Sequence, residues 1–103
     1  MKRVKRRYLA VQLECEGIPS EREIMDAIWA ALTRLYGEVG ASQAGLSLIN
    51  FDTKRKVAVV RVLLACMPQV RAALATVTII GGVETALHIL AVSGTLKALF
   101  SNF

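Results

Sequence analysis

Within the first two dozen residues the hydrophobic period changes from two to 3.6, and this fixes how the chain begins to fold. Leu9, Val11, Leu13 and Cys15 alternate with Tyr8, Ala10, Gln12 and Glu14. That pattern predicts a strand with one buried face. Gly17-Ile18-Pro19 ends it. Ser20-Glu21-Arg22-Glu23 then forms a capping box, with Ser20 at the N-cap and Glu23 at the third helical position. Apolar residues recur at helical spacing as far as Tyr36, and Gly37 marks the stop. A strand followed by an amphipathic helix must be completed by further elements that share one core, which predicts layered α and β structure.

The helix carries two apolar stripes. Ile24, Ile28, Ala31 and Leu35 form one, suited to covering a sheet. Met25, Trp29, Leu32 and Tyr36 form the other, turned about 100° away and in need of a second neighbour. Gly37 to Gly45 reads as a loop of small residues. Leu46–Phe51 and Lys56–Leu64 read as two strands joined by an Asp52-Thr53-Lys54-Arg55 turn. Pro68 opens a second helix, with Val70, Ala73, Leu74 and Val77 inward and Arg71 outward. Gly81-Gly82 is a turn. Thr85–Val92 is the fourth strand, with Leu87, Ile89 and Ala91 on one face and His88, Leu90 and Val92 on the other. A short helix follows.

The order is βαββαβ plus a C-terminal helix. The expected architecture is an α+β, ferredoxin-like or RRM-like sandwich, with a four-stranded antiparallel sheet and two main helices on one face. The other face, with Tyr8, Gln12, His88, Leu90 and Val92, needs cover from the last helix or a partner. One domain spans residues 1–103, with residues 1–5 as a flexible basic arm.

The hydrophobic fraction is 54%, above the usual ~45–50%. The longest uncharged run, Val39–Phe51, falls short of the ~20 residues of a membrane-spanning helix. The apolar excess therefore belongs in a core or at a protein interface, and no membrane partner is expected. The net charge is +5, and Lys2, Arg3, Lys5, Arg6 and Arg7 crowd the start of the chain. Lys54-Arg55-Lys56 forms a second cluster. Such clusters favour a polyanion, most simply nucleic acid. Cys15 and Cys66 lack partners at metal-binding spacing and read as two buried free thiols.

Catalytic chemistry finds no footing in these residues. His88 stands alone in a strand, which suits a structural or interface role. Nothing in the spacing supports a Cys66–His88 dyad. Glu21 and Glu23 are explained by helix capping and Asp52 by the turn. Base stacking on the sheet is disfavoured as well, because the third strand, Lys56–Leu63, contains no aromatic residue. The stretch Leu90–Leu99, L-A-V-S-G-T-L-K-A-L, admits two readings. It is either an ordinary strand-to-helix joint capped by Ser93 or Thr95, or a helix start whose amides hold an anion with Lys97 one turn inside.

Four segments in order, F-D-T-K (Phe51–Lys54), A-V-V-R-V (Ala58–Val62), V-R-A-A-L-A (Val70–Ala75) and L-A-V-S-G-T-L-K-A-L, resemble the Pop-type protein subunits of archaeal and eukaryotic ribonuclease P. Arg6-Arg7-Tyr8-Leu9 and Leu35-Tyr36-Gly37 fit the same pattern. The resemblance implies a non-catalytic RNA-binding subunit that assists ribonuclease P RNA in removing the 5′ leader from precursor tRNA. It implies no cofactor on the protein, since the RNA uses the Mg²⁺. It also implies a cytoplasmic setting and a TIM-barrel-like protein partner, with a heterotetramer of two copies of each as one assembly. By position, Arg6, Arg7, Lys54, Arg55, Lys56, Arg61, Arg71 and Lys97, with Ser93 and Thr95, are the candidate RNA contacts. Met25, Trp29, Tyr36, His88 and Leu90 are the candidate partner interface. The chain departs from the family pattern at Leu64-Ala65-Cys66 and at His88, where basic residues are frequent. The competing expectation is a ferredoxin-like ligand-binding or dimerisation module, using the Gly37–Gly45 loop and the apolar sheet face.

Overall fold

The computed structural model describes residues 5–101, so the basic arm expected at residues 1–5 lies outside the described residues except for Lys5, whose C=O accepts from Leu64 N–H at 2.9 Å. Strand β1 (Arg6–Cys15) is central, with β3 (Val57–Leu63) on one side and β5 (Val83–Ser93) on the other, both antiparallel to it. β2 (Ser47–Asp52) flanks β3, and the two-residue β4 (Ile79–Ile80) flanks β5, giving the order β2-β3-β1-β5-β4. The four long strands and the helices α1 (Glu21–Gln43) and α2 (Met67–Thr76) follow the expected βαββαβ order. The sheet nevertheless has five strands where four were expected. Gly81 and Gly82, both at positive φ, close a tight hairpin between Ile80 and Val83. The apolar pair Ile79-Ile80 directly before Gly-Gly was the sequence signal for it.

Helix α1 starts as its capping box dictates. Ser20 Oγ accepts from Glu23 N–H, and the Glu23 carboxylate accepts from Ser20 N–H. Gly37 does break the helix, at φ 74° and ψ 173°, but the break lasts one residue. Helix resumes to Gln43, so the expected Gly37–Gly45 loop is absent. Burial of Ala41 and Ala44 in the main core explains the second segment, since tertiary packing overrides a local stop. The chain finally turns at Gly45, at φ 61°.

The main core lies between the helices and one sheet face. Leu9, Val11 and Leu13 of β1 meet Ile24, Ile28, Ala31 and Leu32 of α1, and Val70, Ala73 and Leu74 of α2. The buried arc of α1 straddles both predicted stripes. Leu32 of the second is fully enclosed, whereas Leu35 of the first is 42% exposed. Cys15 and Cys66 are free but only half-buried, a correction to the buried thiols expected.

The opposite face is covered in its middle by α3 (Leu96–Phe100), as its aliphatic content requires. Leu99 is fully buried against Ala10, Val57 and Val59, and Leu96 packs beside them. The Cα envelope is only 18 Å through its thinnest axis. That dimension fits one sheet and one helical layer about 10 Å apart, so α3 acts as a local patch rather than a third layer.

A β-bulge corrects the face assignment of β5. Register shifts between Ala10 and Val11, and Leu90 is the extra residue. Past it, side-chain parity inverts. Val92, opposite Leu9, joins the main core. Ala91 and Ser93, opposite Ala10 and Tyr8, take the α3 face instead.

Candidate nucleic-acid interface

The candidate RNA-binding residues separate to the two ends of the sheet. They lie roughly 30 Å apart along the ten residues of β1, taking about 3.3 Å per residue. At the end where β1 starts, strand pairing sets one rung across four strands on the α3 face. Ser47 lies opposite Arg61, Arg61 opposite Tyr8, and Tyr8 opposite Ser93. Arg6, two residues before Tyr8, shares that face and is exposed. Arg7 projects to the other face and lays its guanidinium beside Gly94, while Nη1–H donates to Arg6 C=O at 2.9 Å. A side chain at position 94 would touch that guanidinium, at 3.5 Å from a Cβ.

The Ser93-Gly94-Thr95 joint stands at this same end and largely closes on itself. Thr95 is the N-cap of α3, its Oγ1 accepting from Ala98 N–H at 3.2 Å. Ser93 Oγ accepts from Thr95 N–H at 3.3 Å. The joint's own hydroxyls therefore take two of the amides that an anion would have used. Lys97 is exposed on the outer side of α3.

The hairpin cluster sits at the far end. Asp52 Oδ1 accepts from Lys54 N–H and Arg55 N–H, at 3.0 and 3.2 Å, and this fixes the turn. Lys56, at φ 54°, is half-buried and gives its ammonium to Cys15 C=O. Gln12 Nε2 donates to Arg55 C=O at 2.6 Å and ties the hairpin to β1. This end of β1 also carries Glu14 and Glu16, and Glu84 lies on the adjacent strand β5. Carboxylates near the hairpin weaken its pull on a polyanion. Arg71 is exposed on α2, in the helical layer, and belongs to neither end.

The candidate interface residues divide in the same way. Trp29 and Tyr36, 42% and 40% exposed, lie on α1 beside half-buried Met25. Leu90 protrudes at the bulge of β5. His88, also on β5, puts Nε2 2.8 Å from Glu14 Oε2. The two groups occupy different layers. Val39, 72% exposed just past the break in α1, extends the Trp29–Tyr36 surface and was missed. The loop reading of its segment hid it.

The fold and the charged end together define an α+β domain of the split βαβ type, with a cationic rung at one end of its sheet. The chain belongs to the Rpp14/Pop5 family, which it matches over residues 7–103. It is 38% identical to ribonuclease P protein component 2 of Thermococcus gammatolerans, over 98% of this chain and 84% of that protein. Its identity to the protein of the same name from Methanosarcina mazei is 32%, over 98% of this chain and 85% of the relative. A chain in the cryo-EM structure of yeast ribonuclease MRP shares the fold, with a TM-score of 0.70 and 18% identity, covering 93% of this chain and 79% of that one.

Proposed function

We propose that the chain is a non-catalytic, RNA-binding protein subunit of ribonuclease P that assists the catalytic RNA in removing the 5′ leader of precursor tRNA. Family membership along almost the whole chain carries this reading. The uneven charge supports it. Arg6, Arg7 and Arg61 take no part in the close cation–carboxylate contacts among the described residues, such as Arg22–Asp26, so no described carboxylate neutralises them. In this reading those cations bind phosphates where RNA segments crowd, and they stabilise the RNA fold that holds Mg²⁺. The sheet centre, closed by Leu96 and Leu99, does not read bases. A TIM-barrel-like ribonuclease P subunit is the proposed protein partner, with two copies of each as the larger assembly. The Trp29–Tyr36–Val39 surface is the proposed contact, because these large apolar side chains of α1 are left exposed.

The alternative of a small-ligand module loses its main support, because the proposed ligand loop is helix. Reconstitution tests the preferred reading. Ribonuclease P RNA and the partner subunit are assayed for precursor-tRNA cleavage at moderate Mg²⁺, with and without this chain. Stimulation is expected, and its absence with all components folded would refute the proposal.

A further inference from the structure

The rung Ser47–Arg61–Tyr8–Ser93 holds a guanidinium that its own protein does not satisfy. Nε of Arg61 is buried without a hydrogen-bond partner. Among the described residues two other side-chain atoms share that condition, Thr33 Oγ1 and Gln69 Oε1, but both are uncharged and sit on the helices. A buried, unpaired donor on a charged group is unfavourable, and its presence asks for a reason. The surroundings suggest one. Serine hydroxyls stand at both ends of the rung, the Tyr8 phenol stands beside Arg61, and exposed Arg6 lies on the same face. The row spans three strand spacings, about 15 Å, which suits a run of phosphates better than one small anion.

We infer that this rung is a phosphate subsite for the RNA backbone. Arg61, its Nε enclosed, takes one phosphodiester through its outer Nη–H donors with Ser47 beside it, while Ser93, two strands away, and Arg6 meet neighbouring phosphates. A guanidinium suits the task because two parallel N–H donors match two phosphate oxygens, which an ammonium cannot do. Tyr8 lines the subsite by position; α3 leaves this rung at the edge of the patch it covers. The inference rests on the RNA-binding reading above and sharpens it. One end of the sheet holds the RNA, and the hairpin Lys54–Lys56 does not.

The test compares Arg61→Met and Arg61→Lys with the unaltered protein, measuring affinity for in vitro transcribed ribonuclease P RNA across a range of salt. Arg61→Met keeps the apolar stem and removes the unpaired donor. It should weaken binding about 5–10-fold near ~0.1 M salt and lower the salt slope by about 0.7–0.9, the share of one phosphate contact. Its thermal midpoint without RNA should match or exceed that of the unaltered protein. Arg61→Lys should restore the slope but only part of the affinity. Unchanged affinity and slope in Arg61→Met, while the unaltered protein binds, would overturn the subsite and leave Arg61 a packing residue. If Arg61→Met fails to fold, Arg61→Lys decides, and full affinity in that variant overturns the proposal. No RNA binding by the unaltered protein would overturn the underlying function as well.

Discussion

Leu99→Ala tests whether α3 really closes the sheet face, because Leu99 is the fully buried side chain of that helix. Leu99 is fully buried, and its neighbours Ala10, Val57 and Val59 are small side chains on a rigid sheet. Three carbons are removed; at about 0.8 kcal/mol each, the transfer loss is about 2.4 kcal/mol. A residual cavity in a rigid site would raise this toward ~5 kcal/mol. The five-residue α3 lies near the chain end, however, and can lift off rather than span a void. Lifting limits the loss to the docking energy of α3. The expected destabilisation is therefore about 2–3 kcal/mol in urea unfolding, a drop of roughly 10–20 °C in thermal midpoint for a domain of this size. Dye binding should rise as Ala10, Val57 and Val59 become wet. A loss below ~0.5 kcal/mol with unchanged dye binding would refute the reasoning, since Leu99 would then not be part of a core.

Other positions separate backbone, capping and charge. Gly37→Ala forces a side chain to φ 74° and should destabilise by about 1–2 kcal/mol in urea unfolding, whereas Gly40→Ala meets Tyr36 Cβ and tests packing instead. Thr95→Ala removes the cap of α3 and should cost about 1 kcal/mol, with the RNA salt slope unchanged. A lower slope would instead give the Thr95 hydroxyl a phosphate contact. Paired Arg6→Gln and Arg7→Gln should lower the slope by about 1.4–1.8, while paired Lys54→Gln and Arg55→Gln should move it much less. Equal losses from the two pairs would mean that the RNA spans both ends of the sheet.

Most of the fold was legible because its signals are local. The capping box, the alternation in β1, the Asp52 turn and Pro68 each specify one element through contacts within a few residues. The failures share a different cause. Helix resumes after Gly37 because Ala41 and Ala44 are enclosed by residues distant in sequence. Val92 changes face because Leu90 is an extra residue against β1, and pairing alone reveals that. The arrangement of the candidate site was less legible than the fold. Charge counting finds two basic clusters but not where they lie, and the antiparallel register of β1 and β3 places Arg6-Arg7 and the Lys54–Lys56 hairpin at opposite ends of the sheet.

On the proposed RNA-binding reading, that same register explains how a sheet whose third strand carries no aromatic residue faces RNA. Open-face positions of β1 and β3 run from Arg6, Tyr8 and Arg61 at one end to Ala10, Val57 and Val59 in the middle. The aliphatic middle is unstable in water and recruits α3, which then denies nucleotide bases access to it. Polar and charged side chains persist only where α3 stops. Phosphates, which project from RNA and need no deep groove, can reach such a margin, whereas bases would have to displace a helix. Affinity at a margin of this kind comes from cation count and varies with salt rather than with base sequence. A subunit built so would bind its RNA by shape and charge. Exchange of single unpaired bases in the contacted RNA should therefore change affinity less than loss of Arg61 does; a single base exchange that abolished binding would place a base-reading pocket where the fold provides none.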